Sequence, residues 1–182
     1  YQSLRASLEE NPLTSDYSFV QDLPSNLSNA TVSVEWEGKD PDSQPLFSNM
    51  AIDENFMDVF RMSLLNGRSF TKEFTADTVN LVVNEKALQT MGMDAATAVG
   101  KSLTLWGRKG TIIGVVKDFN FKPIQQPIEP LILRLNTWGG TAVVRTKPGQ
   151  AEATIDALEG IFKKLNPDYP FAYNFVDQEL QN

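Results

Sequence analysis

TAVVRTKPGQAEATIDALEGIFKKLNPDYPFAYNFV, residues 141–176, decides the fold. Thr141 to Arg145 reads as a strand. From Gln150 to Leu165 the apolar residues Ile155, Leu158, Phe162 and Leu165 fall on one helical face. Glu152, Asp156 and Glu159 lie toward the positive end of that helix, and Lys163 and Lys164 lie toward its negative end. Glu159 and Lys163 also make an i,i+4 pair of favourable polarity. Asn166-Pro167 stops the helix, because proline disfavours a helical residue before it and cannot continue the ladder. Phe171 to Val176 then reads as a final strand, which completes a β-α-β unit.

The other end of the chain carries the same pattern. Tyr1, Leu4 and Leu8 follow helical spacing, Asn11-Pro12 is the stop, and Tyr17-Ser18-Phe19-Val20 reads as a strand. The strand that should open this first copy is missing and would lie upstream of Tyr1. The chain therefore reads as a fragment of a longer protein. Two such halves can share one sheet in a split β-α-β layer. The expectation is that Tyr17–Val20 and Phe171–Val176 join the sheet of Thr141–Arg145, with the two helices covering one of its faces. Both termini, Tyr1 and Asn182, are expected on one side.

Between the halves the sequence is richer in strands. Thr31 to Trp36 alternates, with Val32, Val34 and Trp36 on one face. A polar loop from Gly38 to Pro45 has the character of a hairpin connection to a strand over Phe47–Ile52. Asp53 is placed to cap a helix through Phe56, Val59 and Phe60, and Asn66-Gly67 reads as a turn. Asn80 to Val83 is a short strand, and Asn84 is the N-cap of a helix over Glu85–Met91 that ends at Gly92. Lys101–Trp106 and Thr111–Val116 are strands flanking a hairpin turn at Gly107-Arg108-Lys109-Gly110. Leu131–Leu135 is another strand, and Gly139-Gly140 interrupts the chain before Thr141. In the turn-rich stretch Pro24–Asn29, Asn26 and Asn29 each begin an Asn-x-Ser/Thr match, which local turn chemistry accounts for.

Composition removes most chemistry. The 182 residues include no histidine and no cysteine, so there is no imidazole base, no thiolate and no His or Cys metal ligand. The net charge is −7 with both signs interspersed, which excludes the clustered basic surface that nucleic acid requires. No run approaches the roughly 20 apolar residues of a membrane helix. The glycines do not stand at a strand-to-helix junction, so no phosphate cradle is formed. Acidic clusters such as Glu9-Glu10 and Asp40-Pro41-Asp42 lack the spacing of a calcium loop. Glu85, Asp118 and Glu129 are the best candidates for a carboxylate pair, but nothing in their spacing brings two of them together. No catalytic, cofactor or metal residue is assigned.

Lys117-Asp118-Phe119-Asn120-Phe121-Lys122-Pro123 is the most conspicuous local feature. Phe119 and Phe121 could anchor a core. Alternatively Phe119, Asn120 and Phe121 form a partner contact, since aromatic residues are enriched at interfaces. The expectation is that Phe119 or Phe121 is partly exposed at the end of a strand.

Five segments in order carry a resemblance: Gly67-Arg68-Ser69-Phe70, Val82-Val83-Asn84-Glu85, Val99-Gly100-Lys101, Ile113 to Phe119 and Ile128-Glu129-Pro130. Together they resemble the MacB-like periplasmic core domain of FtsX-like ABC transporter permeases, in its Bacteroidetes form. The resemblance implies an α+β fold. A porter-like split β-α-β subdomain would be built from residues 1–70 and 135–182, with a strand-rich Sabre-like subdomain inserted at 71–134. It implies a non-catalytic extracytoplasmic domain on the periplasmic face of the inner membrane. Such a domain would bind substrate or partner and transmit ATP-driven motion. The implied partners are a cytoplasmic ATPase subunit or domain, a second permease copy, and a periplasmic adaptor or a peptide or lipoprotein substrate. No cofactor and no nucleic acid are implied. A free-standing secreted or periplasmic ligand-binding module is the second reading, and an acidic hydrolase the third.

Overall fold

A computed structural model describes residues 1–24, 27–119 and 127–176. The chain opens with helix α1 (Gln2–Glu10) and strand β1 (Tyr17–Val20), followed by β2 (Ala30–Thr31), β3 (Val34–Trp36) and β4 (Phe47–Ile52). A short helix α2 (Phe56–Val59), strand β5 (Leu64–Gly67) and a 3-10 turn at Thr75–Thr78 come next. Then follow β6 (Leu81–Asn84), α3 (Glu85–Met91), α4 (Ala95–Ala98), β7 (Ser102–Leu105) and β8 (Arg108–Val116). The last elements are β9 (Leu131–Leu135), β10 (Thr141–Val144) and α5 (Ala151–Leu165).

Among the described residues ten strands join one mixed sheet, ordered β10-β1-β4-β9-β6-β8-β7-β3, with β2 beside β4 and β5 beside β8. Two pairings, β4 with β9 and β6 with β8, are parallel, and the rest are antiparallel. The central strands read as unbroken apolar runs because both of their faces are covered. Val82, Leu131 and Leu133 pack with Met50, Ile52 and Phe56 on one face. Leu81, Val83 and Ile132 pack with Ala87, Leu88 and Leu103 on the other. Each such side chain contributes roughly 1.5–3 kcal/mol through removal from water.

The two ends of the chain meet, as the repeat predicts for Tyr17–Val20 and the two helices but not for Phe171–Val176. β1 pairs with β10 from Tyr17↔Val144 to Val20↔Thr141. α1 packs against α5, and their facing side chains Leu4, Leu8, Leu158 and Ile161 close over Tyr17 and Phe19. Glu159 and Lys163 form the expected pair at 2.6 Å. The α+β class is the observed one. Asn182 lies outside the described residues, so the placement of the two termini is not described.

Several local expectations are corrected. Phe171–Val176 makes no strand ladder. Its rings pack in series instead: Phe171 lies tilted against Phe162 at 5.8 Å, Tyr173 against Phe171 at 5.8 Å, and Phe175 edge-on to Tyr173 at 5.7 Å. Among the described residues no strand lies beside it to accept its hydrogen bonds. The alternating run at Thr31–Trp36 is broken where Ser33 N–H donates to Thr31 Oγ1 and Val34 N–H to the Val32 carbonyl. Val32 is consequently exposed, and β3 pairs with β7 instead of forming a hairpin with β4. Asn66-Gly67 belongs to β5, which bulges against β8. A Cβ on Gly67 would lie 2.2 Å from the Ile113 carbonyl oxygen, so only glycine fits there. The β7–β8 hairpin turns on two residues, Trp106 and Gly107, both left-handed at φ +50° and +76°.

β3 and β5 precede residue 71 yet hydrogen-bond to β7 and β8, so the sheet continues without interruption across that point.

Candidate functional site

Three of the five segments that carry the family resemblance have their structural reason in one place, the end of β6. Asn84 is fully buried and accepts from Ala87 N–H at 2.9 Å, capping α3 as expected. The same Oδ1 accepts from Leu131 N–H at 2.9 Å, and Nδ2 donates to the Glu129 carbonyl at 2.9 Å. Asn84 thus joins the end of β6 to the start of β9. Beside it two carboxylates exchange bonds with backbone: Asp118 Oδ1 accepts from Lys86 N–H at 2.9 Å and Glu85 Oε2 from Asp118 N–H at 2.8 Å. Glu129 Oε2 accepts from the Ser48 hydroxyl at 2.8 Å. Glu85, Asp118 and Glu129 are therefore each engaged in holding backbone or a neighbouring strand. Among the described residues no group of acidic side chains could hold a metal ion.

Phe119 follows this knot directly. It is half-buried and packs against the core on the Met50–Phe56 face of the sheet. Asn120 and Phe121 lie outside the described residues. A half-buried ring should be worth less than the roughly 3–5 kcal/mol of a fully buried phenylalanine. Phe119→Ala is accordingly expected to cost about 2 kcal/mol in urea denaturation, on the same scale. A loss below about 0.5 kcal/mol, the size of an ordinary surface substitution, would assign the ring to the surface.

Phe119 also stands at the rim of a groove of about 1150 Å³. Its floor and walls are the β10 segment, the α1–α5 pair through Leu8 and Leu158, the turn at Val59–Ser63 and the extended segment ending at Val176. The groove runs along the outer edge of β10, the terminal strand of the sheet.

Behind the groove a buried ionic cluster ties α1 to the sheet, and the sequence alone did not reveal it. Arg5 Nη2 meets Asp53 Oδ2 at 2.8 Å, and Nη1 meets Glu54 Oε1 at 2.9 Å. Asp53 is wholly buried and is not the cap of α2, which is Asn55. It accepts instead from Ser18 Oγ at 2.6 Å, Phe19 N–H at 2.9 Å and Asn55 N–H at 3.2 Å. Burial pushes the Asp53 carboxyl up, against the opposing bonds from Ser18 and Phe19 and the charge of Arg5. Burial also acts upward on Glu54, but its bonds to Lys72, to backbone and to Arg5 outweigh it and hold that carboxyl low. The Arg5 guanidinium lies 5.5–5.8 Å from the rings of Tyr1, Tyr17 and Phe19, within cation–π range. Asp53 looked like a cap because an acid before a helical stretch usually is one; its partner stands 48 residues earlier.

Residues 7–161 match the family described as the MacB-like periplasmic core domain. The chain belongs to this family. Its fold is shared by the periplasmic region of MacB from Actinobacillus actinomycetemcomitans, with a TM-score of 0.66 and 16% identity over 99% of this chain and 80% of that one. The extracellular domain of the noncanonic ABC-type transporter YknZ from Gram-positive bacteria gives a TM-score of 0.62 and 13% identity, covering 91% and 83% of the two chains. A permease domain from Porphyromonas gingivalis gives 0.54 and 19% identity, over 91% and 82%. No curated protein matches the chain. The chain is thus a MacB-like periplasmic core domain, of the kind carried by permeases and located outside the cytoplasm. Among the described residues no helix is long and apolar enough to cross a membrane.

Proposed function

We propose that this domain couples motion of its permease to an extracytoplasmic substrate or partner, with the α1–α5 layer as the moving part. The observation that carries this reading is the Arg5–Asp53 tie. A helix at one end of the chain is anchored by a buried ion pair to the junction of β4 and α2, in the middle of the sheet. The helix following β10 packs on the same helix. Displacement of either chain end would therefore reach the central strands through one fastened layer. ATP hydrolysis would belong to a separate domain or chain, and the permease would act as a dimer. Family membership favours this over a free-standing ligand-binding module.

The subdomain division, with residues 1–70 and 135–182 forming the porter-like part and 71–134 the insert, draws its support from β1 pairing with β10 and α1 packing on α5.

The 182 residues contain no cysteine, so an engineered pair has no competitor within this domain, and any cysteine elsewhere in the permease is replaced first. In the full permease, Leu4→Cys with Leu158→Cys, oxidised, is expected to transport as well as the reduced form, because the two helices move as one body. Arg5→Leu is expected to lower transport per ATP hydrolysed. Loss of transport on oxidation, or unchanged coupling in Arg5→Leu, would rule out this route.

A further inference from the structure

Away from the groove, the surface carries a second feature that neither the family nor the coupling reading uses. Arg134, on β9, lies between two tryptophans: its guanidinium carbon is 5.3 Å from the Trp106 ring centre and 5.5 Å from that of Trp138. Both rings are about half exposed, at 47% and 57%. Large apolar residues on a surface are common singly, but two tryptophans closing on one cation form a built arrangement.

Both rings are held in place. Trp106 donates from Nε1 to Thr31 Oγ1 at 3.1 Å and from its backbone N–H to the Ser33 carbonyl at 3.0 Å. Trp138 sits on a loop organised by the buried Asn136, whose Oδ1 accepts from Trp138 N–H at 3.0 Å and from Gly139 N–H at 3.2 Å. Trp106 also occupies the first position of the two-residue hairpin turn with φ +50°, where asparagine or glycine is the comfortable choice. A bulky residue kept in a left-handed conformation, with its ring in solvent, is poorly explained by folding.

Arg134 is the unusual member. Nη2 donates to Gln21 Oε1 at 2.6 Å, whereas Nε is buried with no hydrogen-bond partner. Among the described residues no carboxylate forms an ion pair with it, in a chain whose net charge is −7. Burial thus weighs against the charge, and the Asp22 carboxylate offsets this only from beyond salt-bridge distance. Arginine and tryptophan are also the residue types that dominate binding energy at protein interfaces.

We infer that Trp106, Arg134 and Trp138 form a docking site for an acidic side chain of a partner protein, flanked on that partner by an apolar or aromatic residue. The carboxylate would supply the direct salt bridge that Asp22 is too far away to make, and the neighbouring side chain would lie on an exposed indole face. The surrounding negative charge disfavours any extended polyanion such as nucleic acid and favours a short, locally acidic segment with apolar content.

The test uses the chain titrated with a glutamate–tyrosine copolymer, followed by tryptophan fluorescence. Polyglutamate, dextran and phosphatidylglycerol vesicles are run in parallel. Saturable binding of the copolymer is expected, weakened about tenfold or more by Trp138→Ala and by Arg134→Gln, as for hot-spot residues. Trp106→Asn separates binding from folding: it should weaken binding to a similar degree while the Tm stays level or rises, because asparagine suits the turn. The inference is overturned if the copolymer does not bind, or if the three variants bind it as the parent does. Vesicles or dextran binding in its place, with the same dependence on the tryptophans, would overturn the protein partner.

Discussion

Arg5→Leu is expected to destabilise the domain by about 3–5 kcal/mol, the range for removing one member of a buried ion pair. The size follows from what remains behind. Asp53 is wholly buried, and its donors from Ser18, Phe19 and Asn55 would still surround a carboxylate that has lost its counter-charge. Glu54 would retain Lys72 at 2.8 Å, so most of the loss belongs to Asp53. Urea denaturation of the chain measures it. Adding Asp53→Asn to Arg5→Leu should recover part of the loss, since the orphaned charge is then gone. A single-variant loss below about 1 kcal/mol would mean that the pair behaves like an exposed salt bridge. It would also remove the basis for α1 as a fastened helix.

Asn84→Ala is expected to cost about 2–4 kcal/mol, the sum of a lost N-cap of about 1 and a buried backbone donor left unsatisfied at about 1–3. The reference is Asp94→Ala. Asp94 caps α4 through Ala96 N–H at 2.7 Å, in an exposed setting with no further partner shown for that side chain beyond the helix start. That variant should lose about 1 kcal/mol, the cap alone. The excess at Asn84 then reports the bonds that join β6 to β9. Equal losses at the two positions would show that the Leu131 and Glu129 bonds contribute nothing net.

The elements that the sequence revealed are those with a short-range cause. α5 carries its own amphipathic stripe, charge bias and proline stop, and β6–α3 carries its apolar run, cap and terminal glycine, so both appear where expected. The family segments were legible as an order of residues, and the structure supplies the reason: Asn84, Glu85, Asp118 and Glu129 bond to one another's backbone or hold it. What stayed hidden depends on distant chain. Phe171–Val176 has the alternation of a strand, but a strand is made by its neighbour. The Arg5–Asp53 pair and the Arg134 sandwich join residues on separate elements, which no local pattern records. Val32 was misplaced because the Thr31 hydroxyl competes for backbone N–H and breaks an otherwise regular alternation. The candidate site was legible only in part. Phe119 stands at the groove's rim, whereas the groove itself is a product of the assembled layer.

The position of β9 has a consequence for how the chain acquires its structure. It lies between β4 and β6, so residues 47–52 and 81–84 share no hydrogen bonds until residues 131–135 arrive between them. The hairpin β7–β8 and the β6–α3 unit involve short closures and can form early, whereas inserting β9 closes a loop of about 80 residues back to β4, at an entropic cost that must be met before any contact rewards it. A chain emerging from its N-terminal end therefore holds two unsatisfied strand edges, facing each other across an empty slot, until three quarters of it is available. Those edges are where a stalled or truncated chain would pair with another, and a late-arriving strand is what removes the hazard.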